Sequence, residues 1–464
     1  MFRVKDLPRE RRPKKPLRVL LINPYIYDVS AYSFWSAPLG LLQAGSILRE
    51  NGMDVSLLDC LPEEEGKRKE DGRAPFVRER VETPEAAKVA GKRFRRYGLS
   101  KEEVRTRLSG MAPPDLVLLT CIMTYWYQGA EEIVRLAREV FPRTKIVVGG
   151  IYASLCYDHA RRHLEGADLI VRGGDLGAFY RFVEETFSRD LALGPGQEDL
   201  DEFPYPAFDL YERRHFVPLL TSSGCVYRCT YCAAPYLHPR LVRRQAGGVL
   251  REIMHWRDYG ISRFVLYDDN FLASGEALAK PLLRAVARLP FEVSIYNPNA
   301  LNASLVDEET AMLLRRAHFR EVRLGLETIE PSLQRTTGGK VSRKEFEGAI
   351  DHLAGAGFPR GVIHAYVLAG LPLQRHEHVR AAIDYVADLG IKVSLAEYTP
   401  IPHTAMFGAS YDLARYPIAE EPLFQNNALF PFAWAGFTEG RMNELKAHAR
   451  LRNAGGSPPT DASL

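Results

Sequence analysis

The sequence lacks a long apolar segment, is poor in cysteine and has no strong excess of charge of either sign. No apolar run reaches membrane-spanning length, and residues 1–16 form a basic, Pro-rich arm without the apolar core of a signal peptide. We therefore expect no membrane span. A net charge of +3 gives no clear nucleic-acid signal. Six cysteines in 464 residues do not indicate a disulfide framework, which favours a cytoplasmic location.

Three of the six cysteines lie together in one short loop. Cys225, Cys229 and Cys232 have the spacing C-x3-C-x2-C and follow an apolar strand predicted at 216–220. Thiolates are the usual ligands of iron–sulfur clusters, and three of them would leave one iron of a [4Fe–4S] cluster open to a small molecule. The alternatives are chance spacing and a structural zinc site, which would need a fourth protein ligand. No other cysteine or well-placed histidine lies nearby in the sequence.

The first part of the chain, residues 17–190, alternates short apolar runs with helical patterns. The runs predict buried strands at 18–24, 53–58, 116–120, 145–148 and 169–172, and helices are predicted at 38–51 and 130–141. This alternation indicates an α/β fold with a doubly wound, Rossmann-like parallel sheet. Ligands of such sheets bind at the carboxyl ends of the strands. The candidate binding residues there are Asn23, Pro24, Tyr25, Thr120, Cys121, Gly149, Gly150 and Ile151.

Two other segments belong to this region. A charged insertion at 61–114 shows little strand or helix pattern. Its basic run at 92–97, which includes Phe94 and Tyr97, would either form a solvated charged face or cap an anionic ligand. A stretch at 191–206 that is rich in Gly, Pro and acidic residues predicts a linker to the next domain.

The second part, residues 207–412, again alternates strands and helices. Six strands are predicted at 216–220, 263–267, 292–296, 321–326, 362–368 and 392–397, with helices between them. Six such units predict a partial (β/α)6 TIM barrel whose active residues lie at the carboxyl ends of the strands. The turns at these ends include Asp268, Asp269, Glu327, Gly370 and Pro402. Residues 413–464 predict a C-terminal extension with one helix at 438–451 and a disordered tail.

The cysteine loop, with the aromatic Tyr231 before its last cysteine, resembles the cluster loop of the radical S-adenosylmethionine (SAM) superfamily. The resemblance implies that the open iron binds SAM and that the cluster cleaves SAM to a 5′-deoxyadenosyl radical. It also implies SAM contacts at Tyr231, Asp268, Asp269, Glu327, Gly370 and Pro402. The sequence departs from the usual pattern at Leu373 and His403, where the superfamily has glycine. The usual Gly-Gly-Glu after the second strand is also absent, and Asp268 and Asp269 stand in its place.

The first part resembles the cobalamin-binding domain that precedes many radical SAM domains. The matching features are Asn23-Pro24, residues 38–41 (PLGL), Val148-Gly149-Gly150 and residues 171–174 (VRGG). The resemblance implies that the candidate residues at the strand ends bind cobalamin. The loop at 23–37 has no histidine, so it lacks the D-x-H-x-x-G motif whose histidine ligates cobalt. Its aromatic residues either line a corrin face or pack on the neighbouring domain: Tyr25, Tyr27, Tyr32, Phe34 and Trp35.

Together, the resemblances imply a cobalamin-dependent radical SAM enzyme that methylates an unactivated carbon of an unknown organic substrate. The enzyme would take electrons from a donor such as flavodoxin or ferredoxin. One alternative is a cobalamin-associated radical rearrangement, cyclisation or oxidation, and another is a non-enzymatic docking role for the first domain. A methylthiotransferase-like enzyme would need a second cluster. We interpret its potential ligands, Cys60, Cys121 and Cys156, as buried small hydrophobic residues.

Overall fold

The computed structural model describes residues 15–173, 175–191, 199–432 and 437–455. The basic arm, the linker, Gly174 and the C-terminal tail therefore lie wholly or partly outside the described residues. Within these ranges, no helix is both long enough and apolar enough to cross a membrane.

The first half of the chain alternates strands and helices, as its sequence predicts. Its elements are β1 (Arg18–Asn23), β2 (Ile26–Asp28), α1 (Leu39–Glu50), β3 (Asp54–Asp59), β4 (Arg78–Arg80), α2 (Glu85–Val89), β5 (Arg95–Tyr97), α3 (Lys101–Ser109), β6 (Leu116–Thr120), α4 (Tyr127–Val140), β7 (Lys145–Gly149), α5 (Ile151–Leu155), α6 (Tyr157–His163), β8 (Leu169–Ile170) and α7 (Leu176–Phe187).

A five-stranded parallel sheet is the centre of this half. Its strands lie in the order β3-β1-β6-β7-β8, with β1 paired to β3 on one side and to β6 on the other. The strand order reverses at β1, so the carboxyl ends of β1 and β6 flank the position where ligands of such sheets bind. The predicted doubly wound sheet is confirmed.

The charged insertion at 61–114 is more ordered than its sequence predicts. It contains β4, β5, α2 and α3, and β5 pairs with β2 and β4 in a small antiparallel sheet. Phe94 and Tyr97 are buried, so the basic run contributes to the core and does not form only a solvated face. Helix α3 begins with a capping box between Ser100 and Glu103, a sequence signal that predicts a helix start. The expectation of little regular structure here is wrong.

The second half of the chain also alternates strands and helices. Its elements are β9 (Val217–Leu219), β10 (Ser222–Ser223), α8 (Ala234–Leu237), β11 (Val242–Arg243), α9 (Ala246–Asp258), β12 (Arg263–Leu266), α10 (Ala279–Val286), β13 (Ser294–Tyr296), β14 (Leu301–Asn302), α11 (Glu308–Arg316), β15 (Val322–Glu327), α12 (Pro331–Thr337), α13 (Arg343–Gly355), β16 (Ile363–Ala369), α14 (His376–Asp388), β17 (Lys392–Glu397), α15 (Ala405–Ser410) and α16 (Glu439–Asn453).

The parallel strands of this half form a partial barrel in two groups, β13-β12-β9 and β14-β15-β16-β17. Buried residues of the strands, such as Phe264, pack against buried residues of the outer helices, such as Leu314 and Phe346. This confirms the predicted partial TIM barrel. Sequence patterns missed β14, α12 and α15, because elements of seven residues or fewer give little periodic signal.

The loop between β2 and α1 anchors the first half of the chain on the barrel. Trp35 is fully buried against Phe216, Val265 and Tyr296. Its Nε1 donates a hydrogen bond to the Asp71 carbonyl oxygen at 2.9 Å. Trp35 also has a φ of 54°, a left-handed conformation that costs a non-glycine residue about 1–2 kcal/mol. Of the two roles considered for this aromatic residue, packing on the neighbouring domain is therefore the correct one.

The C-terminal extension packs against both halves of the chain. Asn426 Nδ2 donates to the buried Asp28 carboxylate at 2.8 Å. Tyr127 of the first half donates its hydroxyl hydrogen to Glu421 at 3.1 Å. One buried apolar cluster combines residues from the extension, the barrel and the first half, including Leu423, Phe432, Leu371 and Tyr152. The extension therefore helps to hold the carboxyl edges of the two sheets together.

Candidate functional site

The three clustered cysteines lie between β10 and α8, in a segment that we call the cluster loop (residues 221–232, which include β10). Gly224 has a φ of 90°, and a Cβ at this position would overlap the Arg240 carbonyl oxygen, so glycine is required there. The Cys232 amide donates to the Cys229 carbonyl oxygen at 3.1 Å, which closes a tight turn. Cys229 is buried, while Cys225 and Cys232 are partly exposed.

Three consecutive residues after β12 hold successive parts of this loop. The Asp268 carboxylate is buried and accepts four hydrogen bonds, from the amides and hydroxyls of Thr221 and Ser222, at 2.6–3.3 Å. Asp269 accepts from the Gly224 amide at 2.9 Å. Asn270 Nδ2 lies 3.7 Å from Cys225 Sγ. Burial raises the pKa of Asp268 despite these hydrogen bonds, which act in the opposite direction. Asp268 therefore supports the cluster loop, and its four bonds leave little capacity for the predicted SAM contact.

The cysteine sulfurs have surroundings that suit cluster ligation. The Tyr227 amide donates to Cys225 Sγ at 3.4 Å, and the Ala234 amide donates to Cys232 Sγ at 3.4 Å. Hydrogen bonds of this kind stabilise thiolate ligands and help to set the reduction potential of a cluster.

No group of three or more His, Cys, Asp or Glu side chains among the described residues is arranged to hold a single metal ion. In a [4Fe–4S] cluster each cysteine binds a different iron, so its ligands stand apart and do not converge on one point.

A small group of polar residues lies next to Cys229. Lys340 Nζ is 3.3 Å from the Tyr231 hydroxyl and 3.6 Å from Glu327 Oε1. Burial opposes the charge on Lys340, but Glu327 and Cys229 outweigh it and raise the pKa of Lys340. Burial and the nearby Glu327 charge also raise the pKa of Tyr231, which keeps its phenol neutral. The group therefore presents one charge of each sign and a neutral hydroxyl beside the cysteines.

Left-handed backbone occurs at three predicted functional turns. Glu327, Leu373 and His403 have φ values of 67°, 62° and 66°. The last two are the positions where the sequence departs from the glycine of the radical SAM pattern, so the backbone keeps the conformation that glycine normally supplies. Strain of this kind, about 1–3 kcal/mol for each residue, is concentrated at functional sites.

The two remaining predicted SAM contacts, Gly370 and Pro402, lie in the turns after β16 and β17. Gly370 donates its amide to Gln374 Oε1 at 2.9 Å and faces Met442 of α16. Pro402 is buried in the loop after β17, and Met406, in the helix α15 that follows this loop, donates its amide to the Thr230 carbonyl oxygen at 2.8 Å. The structure thus brings Glu327 close to Tyr231 of the cluster loop through Lys340, joins α15 after Pro402 to the same loop, and places Gly370 against α16.

The carboxyl edge of the five-stranded sheet has open space beside glycine. A Cβ at Gly149 would find its nearest neighbour, Val171, 4.0 Å away, and Ile151 is 38% exposed. Met123, which follows the end of β6, is 39% exposed and was not among the sequence-predicted residues. An apolar edge lined by glycine suits the flat face of a corrin ring.

Five of the predicted cobalamin contacts are covered by neighbouring protein: Asn23, Pro24, Tyr25, Thr120 and Cys121. Asn23 Nδ2 donates to Asp59 at 2.8 Å, and the Tyr25 hydroxyl donates to Glu132 at 2.6 Å. Tyr25 is only 1% exposed, so its ring belongs to the core and does not line a corrin face. The side chains of Asn23 and Tyr25 are therefore engaged by protein partners, and the assignment of the five residues as cobalamin contacts stays a prediction.

The cluster loop and the carboxyl edge of the sheet meet through side chains of both domains. Arg172, which follows β8, donates to the hydroxyl of Tyr236 on α8 at 3.0 Å. The Tyr236 ring stacks on His403 with centroids 4.1 Å apart and an interplanar angle of 2°. His403 Nε2 lies 3.0 Å from the Leu155 carbonyl oxygen. The barrel end that carries the cysteines therefore faces the ligand-binding edge of the first domain.

The remaining three cysteines lie in the interior of the first domain. Cys60 and Cys121 are buried, and Cys121 Sγ donates to the Met123 carbonyl oxygen at 3.1 Å. Burial raises the pKa of Cys156 to about 12 and raises those of Cys60 and Cys121 further. Cys60 and Cys121 belong to one buried apolar cluster and Cys156 packs against it, which favours our interpretation of these residues as small hydrophobic side chains.

Sequence reasoning missed Lys340. It follows Gly338 and Gly339, and a Cβ at Gly338 would lie only 2.9 Å from Cys229 Sγ. The only sequence signal is indirect: residues 331–344 contain four basic residues and no acidic ones.

Comparisons with known proteins agree with this geometry. The profile of the radical SAM superfamily matches residues 219–386, and that of the B12 binding domain matches residues 99–183. A tRNA-2-methylthio-N(6)-dimethylallyladenosine synthase of Mycolicibacterium vanbaalenii is 24% identical over 258 residues, which cover 53% of this chain and 50% of the relative. A cytidylyl-2-hydroxyethylphosphonate methyltransferase of Streptomyces wedmorensis is 23% identical over 452 residues, which cover 82% and 79% of the two chains.

A solved structure has the same fold over almost the whole chain. It is the radical SAM methyltransferase TsrM of Kitasatospora setae with cobalamin and a [4Fe–4S] cluster bound. The TM-score is 0.67 at 19% identity, and the match covers 97% of this chain and 92% of TsrM. The chain therefore carries a B12 binding domain followed by a radical SAM domain.

Proposed function

We propose that this protein is a cytoplasmic radical SAM methyltransferase that uses cobalamin to methylate an unactivated carbon of an organic substrate. The observation that carries the proposal is the meeting of two ligand-binding edges. Arg172 and Leu155 of the B12 domain contact Tyr236 and His403 of the barrel. Tyr236 lies on α8, the helix that follows the cluster loop. When bound, the cluster supplies the electron that cleaves SAM, and cobalamin supplies the methyl group.

The chain's own residues fit these cofactors in distinct ways. Cys225, Cys229 and Cys232 would ligate three irons, and the residues after β12 fix the loop that carries them. Backbone amides at 3.4 Å from two of the sulfurs would stabilise the thiolates. Gly149 and Ile151 would support the corrin on the exposed edge of the sheet.

Glu327 and Lys340 suit the charges of SAM. SAM carries an amino group, a carboxylate and ribose hydroxyls, so it needs both an acceptor and a cation. The Glu327 carboxylate would accept from the amino or hydroxyl groups, and Lys340 would meet the carboxylate. The left-handed backbone at Glu327 aims its side chain toward Lys340, 3.6 Å away.

A small organic substrate is favoured over tRNA. The match to the phosphonate methyltransferase spans both domains, whereas the match to the tRNA-modifying synthase covers about half of each chain. The synthase-like reaction would also need a second cluster, and the packing of Cys60, Cys121 and Cys156 in or against an apolar cluster of the first domain favours a structural role for these residues.

The test is anaerobic reconstitution with iron, sulfide and hydroxocobalamin, followed by incubation with SAM, a reductant and candidate substrates. Methyl transfer should produce both S-adenosylhomocysteine and 5′-deoxyadenosine along with a methylated product. 5′-Deoxyadenosine without S-adenosylhomocysteine would instead indicate a rearrangement, cyclisation or oxidation. Binding of hydroxocobalamin is monitored by its visible absorption spectrum. If the protein binds none, the methyltransferase proposal is refuted.

A further inference from the structure

Two segments of the barrel are free of acidic residues. Residues 221–251 contain five arginines and no Asp or Glu, and residues 331–344 contain two arginines, two lysines and no Asp or Glu. The whole chain is close to balanced, with 61 basic and 58 acidic residues, so this local excess is a property of the two segments.

The two segments meet at the cluster loop. Thr230 donates its hydroxyl hydrogen to the Thr336 carbonyl oxygen at 3.0 Å. Arg228 Nη2 lies 3.4 Å from the Pro239 carbonyl oxygen, and Ser223 pairs with Val242 in the β10–β11 ladder. The parts of the two segments that carry Arg228, Arg240, Arg243 and Arg335 therefore lie on or next to the loop of the three cysteines.

The cations on this surface are exposed, and an apolar residue lies among them. We call Arg228, Arg240, Arg243 and Arg335 the basic face; all four are exposed. Val226, between Cys225 and Arg228, is 56% exposed. A small apolar centre with surrounding cations is typical of a surface that receives an oppositely charged protein through a brief contact.

We propose that an acidic one-electron carrier protein docks on the basic face and delivers its electron to the cluster loop. This proposal rests on the proposed function, which needs an electron from outside the chain. In the step, one electron leaves the reduced carrier and enters the oxidised cluster, with no transfer of atoms or protons. An acidic surface around the carrier's redox centre would complement the arginines and raise the rate of encounter.

The alternative partner of a basic face is RNA. A nucleic-acid surface usually extends as a long basic stripe, often with aromatic residues for stacking. Here Glu252 ends the first acid-free segment, and Glu330 and Glu345 flank the second. The arginines of the basic face lie on or next to the cluster loop, which favours the electron carrier.

The experiment compares the wild type with a triple variant, Arg228→Gln, Arg243→Gln and Arg335→Gln. The matched control replaces three exposed arginines far from the cluster loop, Arg143→Gln, Arg288→Gln and Arg316→Gln. The probe is flavodoxin. Its Kd is first measured by calorimetry with the cluster-free protein, at low and at high salt. The rate of cluster reduction by flavodoxin hydroquinone is then followed by stopped flow with the reconstituted protein.

We expect wild-type affinity to fall with salt, and we expect the triple variant to bind flavodoxin about tenfold more weakly at low salt, with a proportionate loss of reduction rate. The control variant should match the wild type. Reduction by the methyl viologen radical cation, which gains nothing from a basic face, should not slow in either variant.

Equal affinity and equal reduction rates in the triple variant would overturn the proposal. So would salt-sensitive binding of tRNA to the basic face without binding of flavodoxin. If the protein takes up no iron, the proposed function fails, while the Kd measurements still report on docking.

Discussion

Replacing Asp268 by asparagine tests whether this residue holds the cluster loop or binds SAM. Oδ1 accepts three hydrogen bonds at 2.6 Å, and Oδ2 accepts the Thr221 amide at 3.3 Å. In the variant, the amide oxygen keeps the first three bonds but loses their charge assistance, and the NH2 group faces the Thr221 N–H as a second donor.

The magnitude follows from these contacts. Hydrogen bonds to a charged group contribute about 1.5–3 kcal/mol each and neutral ones about 0.5–1.5, so the three retained bonds lose roughly 3 kcal/mol together. The unsatisfied Thr221 N–H costs about 1–3 kcal/mol more. Removal of a buried charge offsets part of this, because burial raises the pKa of Asp268. We expect a net loss of about 2–4 kcal/mol in the free energy of unfolding.

The assay is urea unfolding of the cluster-free protein, together with the iron content after reconstitution. Asp258→Asn on the exposed end of α9 is the control and should change stability by less than about 0.5 kcal/mol. We expect Asp268→Asn to lose both stability and iron. A variant with wild-type stability and full iron content that fails only to bind SAM would refute our reasoning and support a direct SAM contact.

Three further predictions concern other parts of the site. Cys229→Ala should abolish SAM cleavage and lower the bound iron, whereas Cys121→Ala should retain the iron of the wild type, as measured by iron analysis after reconstitution. Leu373→Gly should raise the free energy of unfolding by about 0.5–1 kcal/mol in urea titrations, because Leu373 is 70% exposed and its φ is 62°. Burial lowers the pKa of His159 to about 3, so the folded protein keeps it neutral while the unfolded chain protonates it. The contribution of His159 to the free energy of unfolding is complete above its ordinary pKa of 6.5 and declines as the pH falls toward 3. The variant His159→Gln can keep the hydrogen bond to Tyr152. It should flatten this decline when unfolding is measured at several pH values.

Each of these has a contrary outcome. Retained SAM cleavage in Cys229→Ala would refute the ligand assignment, and lost iron in Cys121→Ala would point to a second cluster. Leu373→Ala keeps the backbone strain, so a gain equal to that of the glycine variant would show that strain is not the cause. An unchanged pH profile in His159→Gln would mean that other groups control acid stability.

The strands and the cysteine loop could be predicted because their signals are local. The pattern of an apolar run followed by a turn located all eleven predicted strands within a few residues, and β6 and β17 match their predicted bounds. The departures at Leu373 and His403 were also visible in the sequence, and both positions keep the left-handed backbone.

The roles of individual side chains were harder to predict, because their partners are distant in the chain. Lys340 meets Tyr231 across 109 positions, and Asp268 meets Thr221 across 47. Strand-end position correctly placed Asp268 near the site, but only its four bonds show that it supports the loop. Tyr25 has the same strand-end position, yet its ring is buried and its hydroxyl bonds to Glu132.

The sequence by itself determined the two domains, the spacing of the three clustered cysteines and the order of the strand-end turns, since these depend on residue type and short spacing. The tertiary structure alone decided which strand-end residues are buried, how Lys340 and Glu327 come together, and how the two domain edges meet. The physical reason is that burial and hydrogen bonding between distant segments set the role of a side chain, and one sequence contains no direct record of those contacts.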